Sequence, residues 1–107
     1  MAVLASCGRK HQAETLVEEF IEQHAVSADE MKERDYVHFD STKVISDSLI
    51  ANMQKREHEH FKHPIPYPIP SSGRMLYLLR MSYIYKNDTL FHTFYLDEQL
   101  EHVVAFK

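Results

Sequence analysis

The sequence predicts an α+β domain in which an N-terminal helix packs on a curved antiparallel sheet that ends in a three-strand meander. Three observations support this fold class. An amphipathic segment lies near the N-terminus, long alternating segments fill the C-terminal half, and a proline-rich segment separates them. The chain has 107 residues, of which 44% are hydrophobic. That length and composition fit one domain with one core.

The first predicted element is a helix from Gln12 to about Ala25. Its apolar residues recur at the spacing of one helical face, and glutamates occupy the opposite face. We expect this stripe to lie on a sheet. It consists of Ala13, Leu16, Val17, Phe20, Ile21 and His24.

Shorter elements are predicted in the middle of the chain. Ser27 to Glu30 has the pattern of a capping box and predicts a helical turn. Tyr36 to Phe39 predicts a short strand. A second helix is expected to begin near Ser46 or Asp47, which both favour N-cap positions. Its apolar stripe is formed by Leu49, Ile50 and Met53.

The segment from His63 to Pro70 alternates proline with other residues. Proline lacks a backbone donor, so this pattern excludes a helix and a central strand. We expect an extended polyproline II strap, with Ile65, Tyr67 and Ile69 leaning on the body. The alternative is a ligand for a proline-recognition domain.

The C-terminal half predicts the meander. Its strands are Arg74–Lys86, Thr89–Leu96 and Glu101–Phe106, and Asn87-Asp88 forms the first turn because both residues tolerate positive φ. This turn would pair Leu79 with Leu96, Met81 with Phe94 and Tyr83 with His92. The resulting face is almost wholly apolar and should receive the N-terminal helix.

The opposite face of the same strands carries mixed side chains. Aromatic residues with an arginine resemble the core of an interface. The alternative is an ordinary half-solvated antiparallel face. The candidate interface residues are Arg80, Ile84, Phe91 and Tyr95.

Histidine is unusually frequent, with eight residues in the chain. His58, His60 and His63 lie close together among glutamates, and imidazoles and carboxylates can bind zinc or copper. Their spacing matches no established ligand motif. The segment is therefore either a weak metal- or small-ligand-binding candidate or a solvated helix end.

Composition argues against several functions. The net charge is −4, with no dense basic patch, so we expect no nucleic-acid partner. With two glycines, the chain has no phosphate-binding or dinucleotide fingerprint, and we expect no cofactor. The long predicted strands contain no Asp or Glu that could serve a pocket as general acid or base. We therefore expect a non-enzymatic domain.

The N-terminal residues Leu4-Ala5-Ser6-Cys7 resemble the processing site of bacterial lipoproteins, in which small residues precede an acylated cysteine. The resemblance implies lipid on Cys7, a location in the bacterial cell envelope, and a possible envelope protein partner. Residues 1–11 would be a signal remnant and tether, and residues 12–107 the domain. The preceding apolar stretch is short and lacks a basic start, so we expect the true signal to begin upstream. The alternative is a cytoplasmic protein with an incidental cysteine.

The order of elements, one helix followed by an antiparallel sheet, is similar to that of cystatin-like and NTF2-like domains. No residue motif carries this likeness. Such folds include ligand-binding proteins, enzymes and interaction modules, so an NTF2-like enzyme is a further alternative. The oligomeric state does not follow from the sequence.

Overall fold

The computed structural model describes residues 5–42, 45–67 and 75–107, with side chains from residue 8 onward. The expected α+β class is confirmed. Helix α1 (Ala5–His24) precedes strand β1 (Lys32–Ser41) and helix α2 (Asp47–Lys55). Strands β2 (Tyr77–Tyr85), β3 (Asp88–Leu96) and β4 (Val103–Phe106) complete an antiparallel sheet of order β1-β2-β3-β4.

Helix α1 begins seven residues earlier than the expected Gln12, so residues 8–11, which belong to the predicted tether, are helical. Two contacts support this first part of the helix. Arg9 Nη1 donates a hydrogen bond to the Tyr77 hydroxyl at 3.1 Å, and Lys10 lies 3.8 Å from Glu14 one turn later. The contact with Tyr77, which is distant in sequence, is invisible to helical periodicity.

The apolar stripe of α1 is confirmed as the face that covers the sheet. Ala13, Val17, Phe20 and Ile21 are buried in one cluster with the sheet residues Leu79, Met81, Tyr83, Phe94 and Leu96. We call the sheet face that carries these residues the inner face.

The hairpin register differs from the expected one by two residues. Leu79 pairs with Phe94, Met81 with His92 and Tyr83 with Leu90. The turn is formed by Lys86-Asn87, whose φ values of 48° and 74° are those of a two-residue hairpin loop. Because side chains alternate with period two, this shift leaves each residue on its expected face. The expected pairing was therefore wrong and the assignment of faces right.

The opposite, outer face is partly covered by helix α2. Ser46 caps this helix as expected, since its hydroxyl accepts a hydrogen bond from the Leu49 amide at 3.3 Å. Ile50 is buried against the outer face, and its cluster includes Leu76, Tyr95, Val104 and Ala105. The sheet is therefore covered by α1 on one side and by the shorter α2 on the other.

The remaining segments follow the expectations in part. Strand β1 is longer than Tyr36–Phe39 and contains two register shifts. A 3-10 turn forms at Ala28–Glu30, but the Ser27 side chain makes no capping bond. In the strap, Ile65 and Tyr67 pack against the inner core as expected. Ile69 of the strap and Arg74, the expected first residue of β2, lie outside the described residues.

Candidate functional site

The predicted interface residues divide into two groups on the outer face. Arg80, Ile84 and Phe91 lie on the part that α2 leaves open, where the Phe91 side chain is 49% exposed. The Arg80 guanidinium lies 4.9 Å from the centre of the Phe91 ring and donates to Thr93 Oγ1 at 3.3 Å. Tyr95 is only 8% exposed because α2 covers it. Three of the four predicted interface residues therefore lie on the open part of the outer face, and Tyr95 does not.

A groove runs along α2 beside this open part, and sequence reasoning missed it. Its volume is about 520 Å³, within the range of about 300–1,000 Å³ that is typical of small-molecule sites. It is formed by α2 and the residues that flank it, by β3 and by the residue after β4. Its lining residues are Ile45, Leu49, Asn52, Met53, Arg56, Tyr95 and Lys107.

The groove combines an apolar wall with two cations. Leu49 is 57% exposed and contributes to the apolar wall. The Lys107 ammonium lies 5.9 Å from the centre of the Tyr95 ring, so a cation–π contact holds it above the groove floor. Neither Arg56 nor Lys107 forms an ion pair with a carboxylate of the described residues.

Comparisons with protein-family models, curated proteins and solved structures return no match for this chain.

The three candidate metal ligands do not converge. His58 stacks on Phe106 with ring centres 4.0 Å apart, and His60 stacks on Tyr85 at 3.8 Å. His63 instead lies 3.7 Å from Glu57 Oε1. Within residues 5–42, 45–67 and 75–107, no group of three His, Cys, Asp or Glu side chains is arranged to hold a metal ion.

His92 occupies the inner face, as its place on the predicted apolar face requires. Its Nε2 shares a hydrogen bond of 2.9 Å with the Tyr83 hydroxyl. Burial, reinforced by the nearby His58, lowers the pKa of His92 to about 4. Burial also raises the pKa of Tyr83 to about 12. Both side chains are therefore neutral near pH 7, and the pair acts as a structural element of the core.

His58 and the α2 residue Gln54 cover the free edge of the sheet, which is formed by β4. Gln54 Nε2 donates to the Val104 carbonyl at 2.9 Å, and His58 forms a hydrogen bond with the Phe106 backbone. Edge strands expose unpaired backbone groups, which these two side chains satisfy. Burial and the positive charge of Arg56 lower the pKa of His58. The sequence offered no signal for this role, because it depends on where α2 ends.

Cys7, the predicted lipid-attachment residue, lies in the backbone of α1, and its side chain is outside the described part. Arg9, two residues later, contacts Tyr77 on the inner side of the sheet. Among the described residues, no helix combines the length and hydrophobicity needed to cross a bilayer.

Proposed function

We propose that this chain is a non-enzymatic binding domain tethered to a membrane of the bacterial cell envelope. The observation that carries the binding role is the outer face, where the exposed Phe91 ring lies on the same surface as the open groove along α2. When a partner displaces water from apolar surface of this kind, the free energy of the complex is lowered. The partner is a small ligand or an envelope protein held against that face.

The state of the buried polar residues supports a role without catalysis. General acid–base chemistry works best with groups whose pKa values lie near the working pH. The His92–Tyr83 pair is shifted away from neutrality in both directions, to about 4 and about 12. Among the described residues that line the groove, none is an Asp, Glu, His or Cys.

The tether rests on the residues Leu4-Ala5-Ser6-Cys7, which resemble a lipoprotein processing site. The fold is compatible with an anchor there. Helix α1 covers the inner face, and the Arg9–Tyr77 hydrogen bond holds its first turns on that side. A lipid on Cys7 would then leave the outer face free for a partner. The likeness of element order to cystatin-like and NTF2-like domains belongs to the same proposal.

The test is to express the full genomic reading frame in a bacterium and to measure intact mass and membrane partitioning. We expect a chain that begins at Cys7, carries a lipid-sized mass increase and sediments with membranes. Cys7→Ala should abolish the increase and the partitioning. Ser6→Ala is the matched control, because a small residue at this position preserves the processing pattern.

An unmodified protein in the soluble fraction would refute the tether and favour the cytoplasmic alternative. Loss of lipid in Ser6→Ala as well as in Cys7→Ala would show that the processing pattern has been misread.

A further inference from the structure

We infer that the groove along α2 binds an elongated amphipathic monocarboxylate, a medium-chain fatty-acid anion, with its carboxylate between Arg56 and Lys107. This inference rests on the proposed function in that it names the ligand of the same outer face. It does not depend on the tether.

The shape of the groove follows from the positions of its residues on the helix. Asn52 and Met53 lie three and four residues after Leu49, so these three residues line one side of α2, and the C-cap residue Arg56 lines the groove just beyond the end of the helix. From Leu49 to Arg56 this side extends about 10 Å along the axis, at about 1.5 Å per residue. The ligand must therefore be longer than it is wide.

The two cations lie at the same end of the groove. His58 follows Arg56 by two residues and stacks on Phe106 with ring centres 4.0 Å apart. Phe106 directly precedes Lys107. This contact brings the end of α2 next to the end of β4, which places Arg56 and Lys107 together.

The opposite end of the groove is apolar. Leu49 lies in the first turn of α2 and Ile45 directly precedes the N-cap Ser46, and Met53 and Tyr95 continue the apolar wall towards the cations. Met adapts its shape to flexible ligands because its side chain is unbranched. A ligand with an aliphatic tail at Leu49 and an anionic head at Arg56 matches this division.

The net charge of the cationic end favours an anion, although the C-terminus of α2 lies at this end. The C-terminus of a helix carries about half a negative charge, which by itself disfavours anions. Arg56 and Lys107 supply two full positive side-chain charges, and none of the described side chains that line the groove is a carboxylate. The guanidinium of Arg56 can also donate two parallel hydrogen bonds to one carboxylate.

The experiment titrates the full chain with decanoate, decanol and decyltrimethylammonium, and follows binding by calorimetry and by NMR signals of groove residues. We expect decanoate to bind at least about tenfold more tightly than decanol, since hydrogen bonds to charged groups contribute about that factor. The cationic amphiphile should bind most weakly. Signals of Leu49 and Met53 should shift with decanoate.

Substitutions locate the site. Arg56→Gln and Lys107→Gln should each weaken decanoate binding about tenfold. Leu49→Ser should also weaken it about tenfold, because the exposed leucine would be buried by the tail. Lys55→Gln is the matched control: it removes one charge from the same helix at an exposed residue outside the groove, so affinity should not change. Circular dichroism confirms that each variant is folded.

Equal affinities for decanoate and decanol, or equal losses in Lys55→Gln and Arg56→Gln, would overturn the inference. Absence of decanoate binding would overturn it as well, whereas lipidation at Cys7 would still be measured independently. Conversely, a chain that binds decanoate but carries no lipid would refute the tether and leave the groove assignment intact.

Discussion

The buried ring of His92 makes the stability of this domain sensitive to acid. Burial lowers the pKa of His92 from 6.5 to about 4 in the folded chain. The unfolded chain keeps the ordinary value, so it binds a proton at a higher pH than the native state does. The contribution of the neutral His92 ring to the free energy of unfolding is therefore fully present above pH 6.5. It is lost progressively as the pH falls from 6.5 towards about 4.

The size of the loss follows from the two pKa values. One pKa unit corresponds to about 1.4 kcal/mol, so the full loss is about 3 kcal/mol. The ring centre of His92 lies 5.6 Å from that of Phe61 and 5.5 Å from that of Phe106, and a backbone hydrogen bond with Lys107 offsets only part of the cost of protonating it there. A domain of this size has about 5–15 kcal/mol of stability in total. The loss is large enough to measure.

The assay is urea denaturation of the unsubstituted chain and of His92→Gln at about pH 7.5 and about pH 4.5. Glutamine keeps a polar atom that can share a hydrogen bond with Tyr83 but does not titrate. The free energy of unfolding of the unsubstituted chain should fall by about 2–3 kcal/mol more than that of His92→Gln. His11→Gln is the control, because His11 is exposed on α1.

If His92→Gln loses as much free energy of unfolding on acidification as the unsubstituted chain, the protonation of His92 is not the cause of the acid sensitivity. If His11→Gln reduces the acid sensitivity as strongly as His92→Gln does, burial is not the cause. An NMR titration of the His92 ring gives an independent check, with an expected midpoint near 4.

Two further predictions concern the fold. Phe106 is fully buried and contacts Phe20 and Phe94, so Phe106→Ala should lower the free energy of unfolding by about 3–5 kcal/mol, whereas the exposed Phe91→Ala should cost less than about 1 kcal/mol. Equal losses by urea denaturation would contradict the assignment of the two rings to the core and the surface. Lys86→Gly tests the hairpin turn, because Lys86 has a φ of 48° and glycine relieves the strain of this conformation. The substitution should raise stability by about 0.5–1 kcal/mol if Lys86-Asn87 is the turn. It should lower stability by a similar amount if Lys86 is instead a strand residue, as the turn Asn87-Asp88 would require.

The hairpin shows why a sequence pattern can assign faces without assigning partners. The alternation of apolar residues has a period of two, so a shift of two residues leaves every side chain on the same face. The pattern therefore determined that Leu79 and Phe94 face α1. It could not determine that they pair with each other. The turn decides this, and its choice of Lys86-Asn87 over Asn87-Asp88 depends on how the two strands twist together.

The candidate groove shows the same limit at the level of the site. Each of its residues is visible in the sequence, but Tyr95 and Lys107 are about forty or more residues from α2. The position of Arg56 beside Lys107 depends on the stacking of His58 on Phe106, which is a tertiary contact. The same contact explains why the histidine-rich segment, read from sequence as a metal candidate, instead covers the edge of β4.

The sequence alone determined the fold class, the apolar stripe of α1 and the division of the strands into two faces, and it limited the cap of α2 to Ser46 or Asp47. These features depend on local periodicity and on capping chemistry within a few residues. Tertiary structure decided the hairpin register, the burial of Tyr95 under α2 and the juxtaposition of the two groove cations. These depend on packing between segments far apart in the chain, and local sequence patterns carry no information about that packing.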